Sequence, residues 1–171
     1  FKVNPPDANE LNAINQGTTL VTFFQIKDQQ EHLKTYIDKK ITLLSMSHIP
    51  RTTLAQNMDA LSSQSNIAGY KSVLIGASYI PKYMPLLMTA AGTIQPAKVL
   101  ILGAGVAGLS AIATAKRLGA QVFAFDVRPV VKEQVESLGA KFIEVLTENT
   151  DEGVGDGGYA KETSEEYKQK Q

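Results

Sequence analysis

The stretch KVLILGAGVAGLSAIATAKRLGAQVFAFD, Lys98 to Asp126, decides the fold. Val99 to Leu102 is a short β-rich apolar run, Val106 to Leu118 forms a helix that closes on Gly119, and Val122 to Asp126 is a second β-rich run. Strand, helix and strand in that order make a βαβ unit. Between the first strand and the helix stands Gly103-Ala104-Gly105-Val106-Ala107-Gly108, a G-x-G-x-x-G turn. The six-residue string is weak evidence by itself, because it arises often by chance. Its setting strengthens it: the turn follows an apolar strand, opens a helix, and precedes Asp126 by roughly 20 residues, as a dinucleotide-binding fingerprint requires.

Each glycine has a physical task. Gly103 allows the tight turn, Gly105 lets backbone approach a pyrophosphate without a Cβ collision, and Gly108 lets helix and strand pack closely. The unpaired N–H groups of the first helical turn, with those of Ala104, Val106 and Ala107, then face the phosphates, and the helix dipole adds about 0.3–2 kcal/mol for an anion there. No GK[ST] follows, so a P-loop is rejected. Asp126 can accept hydrogen bonds from both adenosine ribose hydroxyls, with Val127 and Arg128 beside it. A 2′-phosphate would set negative charge against that carboxylate. At an effective dielectric of 20 and about 4 Å, each unit of repulsion is on the order of 4 kcal/mol before screening. Arg128 is the competing feature, since a nearby arginine can receive a 2′-phosphate. NAD is therefore expected over NADP.

Beyond Asp126 a helix from Val130 to Leu138, closed by Gly139, leads to a strand from Lys141 to Val145, which makes half of a doubly wound sheet. Glu148 to Gly158 (ENTDEGVGDGG) is glycine-rich, acidic and without apolar period, hence a mobile loop, and Tyr159 to Gln171 is a polar helix. On the amino-terminal side Thr18 to Phe24 and Ile41 to Met46 are β-rich runs separated by the helical EHLKTYID, an alternation that predicts parallel strands. Ser62 to Ile80 reads as a long, largely buried helix that Pro81 and Pro85 end. The small, turn-rich Thr89 to Ala97 suggests a junction. The expected class is α/β, with two Rossmann-like parallel-sheet domains over 1–95 and 96–171, both incomplete. Met84 and Met88 are expected to pack in the core.

Composition excludes several classes. Of 171 residues 43% are apolar and 20% charged, which is ordinary globular usage. Seventeen basic and seventeen acidic side chains cancel, so no long-range field favours nucleic acid or an anionic bilayer. With no cysteine there are no disulfides, thiolate metal sites or cysteine nucleophiles. His32 and His48 lack partners at metal-ligand spacing, so no metal is expected. Pro81, Lys82 and Pro85 interrupt the most apolar stretch, Ser72 to Ile94, before the ~20 residues of a membrane span. Phe1 in first place, without a signal-peptide pattern, reads as an internal fragment.

Arg51 to Ser65 (RTTLAQNMDALSSQS) concentrates a cation, an amide, a carboxylate and hydroxyls after a strand and a proline. Loops of this kind face clefts at the carboxyl ends of parallel strands. A solvated loop before a capped helix has the same composition.

The run RTTLAQNMD with SSQSNIAGY, then MTAAGTIQPAKVLILGAGVAGLSAIATAKRLGAQV, FDVRP and GGYAKE, resembles the NAD(H)-binding subunit of proton-translocating NAD(P) transhydrogenases, within the alanine dehydrogenase/transhydrogenase family. The resemblance implies that Arg51, Gln56, Asp59 and Ser62 lie against the nicotinamide ring and orient it. It implies a closing loop whose tyrosine is Tyr159, next to Gly158, with Gln171 also near the nucleotide. Thr163 stands where the family pattern has methionine. The resemblance further implies hydride transfer from NADH to NADP on a separate domain coupled to a membrane proton channel, a homodimer, and a soluble domain extrinsic to a bacterial or mitochondrial inner membrane. Alanine dehydrogenase, with a similar architecture and glycine turn, is the nearest rival, and a non-catalytic NAD-binding module is the other. Direct titration is expected to give a lower Kd for NADH than for NADPH; an NADPH Kd equal or lower would overturn the reading of Asp126.

Overall fold

The computed structural model describes residues 1–50 and 52–144. The chain divides into two compact units, Phe1–Leu61 and Ser62–Gln171. In the first, α1 (Ala8–Ala13) precedes strand β1 (Thr19–Thr22), a 3-10 segment (Ile26–His32), helix α2 (Leu33–Asp38) and strand β2 (Thr42–Ser45). The two strands pair in parallel from Thr19 opposite Thr42 to Thr22 opposite Ser45, as the alternation of β-rich and helical runs predicts. Leu11, Leu20, Phe24 and Tyr36 form the core of this unit. The rings of Phe24 and Tyr36 meet edge to face, centroids 5.3 Å apart, an arrangement that adds about 0.5–1.5 kcal/mol beyond area burial.

Helix α1 is short and held at both ends by side chains. The Glu10 N–H donates to Asp7 Oδ1 and the Asp7 N–H to Glu10 Oε2, both at 2.9 Å, closing a capping box. At the other end the Lys39 ammonium donates to the carbonyls of Leu11, Asn12 and Ile14 at 2.9, 2.6 and 2.8 Å. A cation on those carbonyls satisfies orphan acceptors and complements the helix dipole.

Helix α3 (Ala60–Tyr79) starts at the boundary between the units. It is less buried than its apolar sequence predicts: Gly69 and Val73 are buried, while Ile67, Tyr70, Ile75 and Tyr79 are exposed. The expected junction at Thr89–Ala97 falls inside the second unit, where Leu87–Thr89 (β3) and Gly92–Ile94 (β4) form an antiparallel hairpin. Met84 joins the core but Met88 stands exposed on this hairpin, so only one methionine packs as expected.

The second unit then builds the predicted βαβ arrangement. Strands β5 (Lys98–Leu102), β6 (Gln121–Phe125) and β7 (Lys141–Phe142) form a parallel sheet in the order β5-β6-β7. Helix α4 (Val106–Arg117) connects the first two, and a 3-10 turn (Pro129–Val131) with helix α5 (Lys132–Ser137) connects the last two. Gly119 and Gly139, both at positive φ, end the two helices as the sequence suggests. Ala111, Ile112 and Ala115 of α4 pack against Val122 and Ala124 of β6 and Val135 of α5. Ile112 is fully buried, a placement that stabilises by about 1.5–3 kcal/mol relative to exposure. None of the described helices is long and apolar enough to cross a membrane.

Helices α3 and α4 cross at backbone contact. A Cβ on Gly69 would lie 2.0 Å from the Ala107 carbonyl oxygen, whereas one on Gly76, further along the same helix, would meet nothing within 4 Å. Gly69→Ala should lower stability by about 1–3 kcal/mol because backbone must move apart. Gly76→Ala should raise it by up to about 1 kcal/mol through helix propensity. Urea unfolding of both variants checks the contrast, and equal effects would contradict the close crossing.

Candidate dinucleotide site

The turn between β5 and α4 carries the glycines in distinct local environments. Gly103 has φ +91°, a left-handed conformation that a side chain would strain, and its N–H donates to the Phe125 carbonyl at 2.8 Å. A Cβ on Gly108 would lie 1.8 Å from the Gly103 carbonyl oxygen, so only glycine lets α4 start this close to the turn. Gly105 is different. It is the N-cap residue of α4, no side chain caps the helix there, and a Cβ would meet nothing within 4 Å. Its missing side chain therefore serves no internal contact and leaves open space in front of the helix.

The first N–H groups of a helix have no intrahelical acceptor. At α4 no side chain caps them, and the dipole there favours an anion. Val106 is exposed, Ala107 half-buried and Ala104 buried. The residues present thus fit a bound pyrophosphate: open approach at Gly105, donors at the first turn, and no carboxylate on the turn itself.

Asp126 follows β6 and is buried. Its Oδ2 accepts the Ala104 N–H at 2.7 Å, which ties the end of β6 to the glycine turn. The rest of its acceptor capacity goes to Arg128. Oδ1 accepts the Arg128 backbone N–H at 2.8 Å and Nε at 2.9 Å, and Oδ2 accepts Nη2 at 2.9 Å. A carboxylate offers about four lone-pair sites, so these donors occupy the positions that sequence reasoning assigns to ribose hydroxyls. Val127 between them is half-buried. Burial alone would push the Asp126 carboxyl up, but the hydrogen bonds from the Arg128 side chain, the Arg128 backbone and the Ala104 backbone outweigh it and hold the carboxyl below the usual range. The same pairing pushes the Arg128 guanidinium up.

The other sequence-predicted residues belong elsewhere. Gln56 is exposed on a 3-10 turn (Thr53–Met58) whose start Thr52 caps through the Ala55 N–H at 3.4 Å. The half-buried Asp59 ends that turn, its N–H donating to the Gln56 carbonyl at 3.3 Å. Both lie in the first unit, while the half-buried Ser62 lies in the first turn of α3. Arg51, Gly158, Tyr159 and Gln171 fall outside the described residues, as do the loop over 148–158 and the helix over 159–171. One contact without a signal in the sequence lies beside the site: Ser110 Oγ of α4 donates to the Asn66 carbonyl of α3 at 2.8 Å. An apolar cleft of about 320 Å³ between α3 and β5, lined by Val73, Ala77, Ile80 and Met84 among others, is separate from the turn.

Residues 1–68 match the family described as "Alanine dehydrogenase/PNT, N-terminal domain" and residues 72–169 its "C-terminal domain". The chain belongs to the alanine dehydrogenase/PNT family. Within it, the chain is 45% identical over 170 residues to NAD(P) transhydrogenase subunit alpha of Cereibacter sphaeroides, covering 99% of this chain and 32% of that protein. It is 47% identical over 167 residues to the subunit of the same name from Haemophilus influenzae, covering 98% of this chain and 32% of that protein. The crystal structure of transhydrogenase from Sinorhizobium meliloti superposes with a TM-score of 0.79 at 47% identity, over 84% of this chain and 43% of that one. An L-alanine dehydrogenase structure gives 0.67 at 27% identity, over 82% of this chain and 40% of that one. The chain thus spans less than half the length of these relatives. Its parallel sheets and helices are those of the alanine dehydrogenase/PNT fold.

The depressed Asp126 carboxyl makes a directional prediction. Its contribution to stability is fully present above the unfolded value of about 3.9 and is lost as pH falls through the lower folded value. Asp126→Asn removes the carboxyl and should flatten that part of the stability profile below about pH 4. Chemical denaturation of both proteins across the acid range checks it, and parallel profiles would contradict the assignment.

Proposed function

We propose that this chain is the NAD(H)-binding part of a proton-translocating NAD(P) transhydrogenase, in which NADH bound here gives hydride to NADP on a separate domain. The observation that carries the reading is the joined arrangement of the open α4 amides at Gly105 and the buried Asp126, linked through the Ala104 N–H. The identity of 45% and 47% to transhydrogenase alpha subunits sets the reaction class, an oxidoreductase component. In this reading Gly103 to Gly108 hold the pyrophosphate, and Asp126, Val127 and Arg128 surround the adenosine ribose.

Arg51, Gln56, Asp59 and Ser62 form the nicotinamide side and work by position. Hydride transfer needs the donor and acceptor carbons in near-attack geometry, and polar groups that fix the carboxamide supply it without proton transfer. Gly158 and Tyr159 belong to a segment that closes over bound nucleotide, with Gln171 nearby. The partners are the NADP-binding and membrane domains and a second copy of this chain. The location is the surface of an inner membrane, on the bacterial cytoplasmic or mitochondrial matrix side.

Alanine dehydrogenase is the second reading, favoured by the shared family and the superposition at 27% identity. Reductive amination of pyruvate by the intact protein separates the two. The decisive experiment mixes the intact protein with its NADP-binding partner and follows NADH-dependent reduction of an NADP analogue. Transfer is expected, and its absence alongside NADH binding would favour a non-catalytic binding module. Gln56→Ala should slow transfer at least about tenfold, as loss of substrate positioning does, with a much smaller change in NADH Kd. An unchanged transfer rate would refute the role of Gln56.

A further inference from the structure

Arg128 occupies the position from which an arginine can receive an adenosine 2′-phosphate, two residues past the acidic end of β6. Its guanidinium is turned inward instead. Nε and Nη2 make parallel 2.9 Å bonds to the two oxygens of Asp126, and the Arg128 side chain is only 15% exposed. Carboxylate and phosphate compete for the same planar fork, because both offer two oxygens at the spacing of a guanidinium edge. Asp126 therefore fills the arginine with an internal anion. The backbone reinforces the pairing: the Arg128 N–H also donates to Oδ1, and the Ala104 N–H fixes Oδ2, so the carboxylate cannot rotate away without breaking its tie to the glycine turn.

We infer that Arg128 is a dormant 2′-phosphate-binding residue whose guanidinium fork Asp126 holds, a barrier to NADP(H) separate from the repulsion by the carboxylate's own charge. The inference rests on the reading of this turn as a dinucleotide site. It gives the carboxylate two separable effects. A neutral residue at position 126 would remove the repulsion and release the guanidinium together, turning an NAD site toward NADP. Removal of the arginine as well would leave only the relief of repulsion.

The test uses the full chain and four variants: Asp126→Ser, Asp126→Asn, Arg128→Gln, and Asp126→Ser with Arg128→Gln. Asn at 126 keeps an oxygen for the Ala104 N–H and so guards against a variant that fails to fold, which thermal melting monitors. The probes are NADH and 2′,5′-ADP, each followed by titration calorimetry. Both single substitutions of Asp126 should bind 2′,5′-ADP about ten- to a hundredfold more tightly than the parent, the range for one charged hydrogen-bonding group. Arg128→Gln alone should show no gain, and the double variant should lose most of it. A gain that survives in the double variant would overturn the inference, because charge removal would then explain everything. So would the absence of any gain in either single variant. Failure of the parent to bind NADH would instead overturn the function proposed above, while the 2′,5′-ADP series still reads the Arg128 effect.

Discussion

The hydrogen bond from the Ala104 N–H to Asp126 Oδ2, 2.7 Å long and buried, fixes the end of β6 against the turn that leaves β5. It is the side-chain tie between the two halves of the candidate site. With it, the first amides of α4 and the Asp126 carboxylate, the groups proposed for phosphate and ribose, share one frame. Two further constraints complete that frame. The Gly103 N–H reaches the Phe125 carbonyl, and Gly108 passes beneath the Gly103 carbonyl at a distance no side chain permits. Helix α4 thus starts where the turn requires, and α3 then crosses it at Gly69, braced by Ser110 on Asn66.

The pair of Asp126 and Arg128 sits largely buried at the candidate site. Burial penalises Asp126, and the surrounding donors more than compensate. Breaking such a pair by removing one partner leaves an uncompensated buried charge, which costs on the order of 3–5 kcal/mol. The arrangement therefore favours keeping aspartate and arginine together, whether or not the arginine touches a ligand. It also changes how ribose recognition must work. The carboxylate already accepts four internal hydrogen bonds, so under the proposed function a ribose hydroxyl would have to exchange with a guanidinium N–H. In the inference drawn above, a 2′-phosphate would likewise have to compete with Asp126 for the fork.

The second unit is legible in the sequence because its signals are local. Gly103 answers a demand for positive φ and Gly108 one for close approach within a few residues, and Gly119 and Gly139 stop their helices at positive φ. Apolar content misleads where burial depends on distant chain. Helix α3 carries two leucines, two isoleucines, a valine and two tyrosines, yet it buries Gly69 and Val73 and exposes Ile67, Tyr70 and Ile75, and its tightest packing is backbone against backbone at Gly69. Met88 resembles Met84 in the sequence but sits on a hairpin that turns it outward. Helix α1 escapes a reading by apolar period, although Asp7 and Glu10 have capping-box spacing; its other anchor, Lys39, is 28 residues from Leu11 and invisible to any local pattern. The inward turn of Arg128 is likewise not legible, since an i, i+2 spacing after a strand allows the side chain either course.

The central claim is that the open first turn of α4 and Asp126 together hold the adenosine side of NADH. Backbone amide chemical shifts measured during an NADH titration test it most directly. The largest shifts are expected at Gly105, Val106 and Ala107, with Arg128 Nε moving at the same nucleotide concentration as its bond to Asp126 is exchanged. Shifts centred elsewhere, with these groups unmoved at saturation, would contradict it.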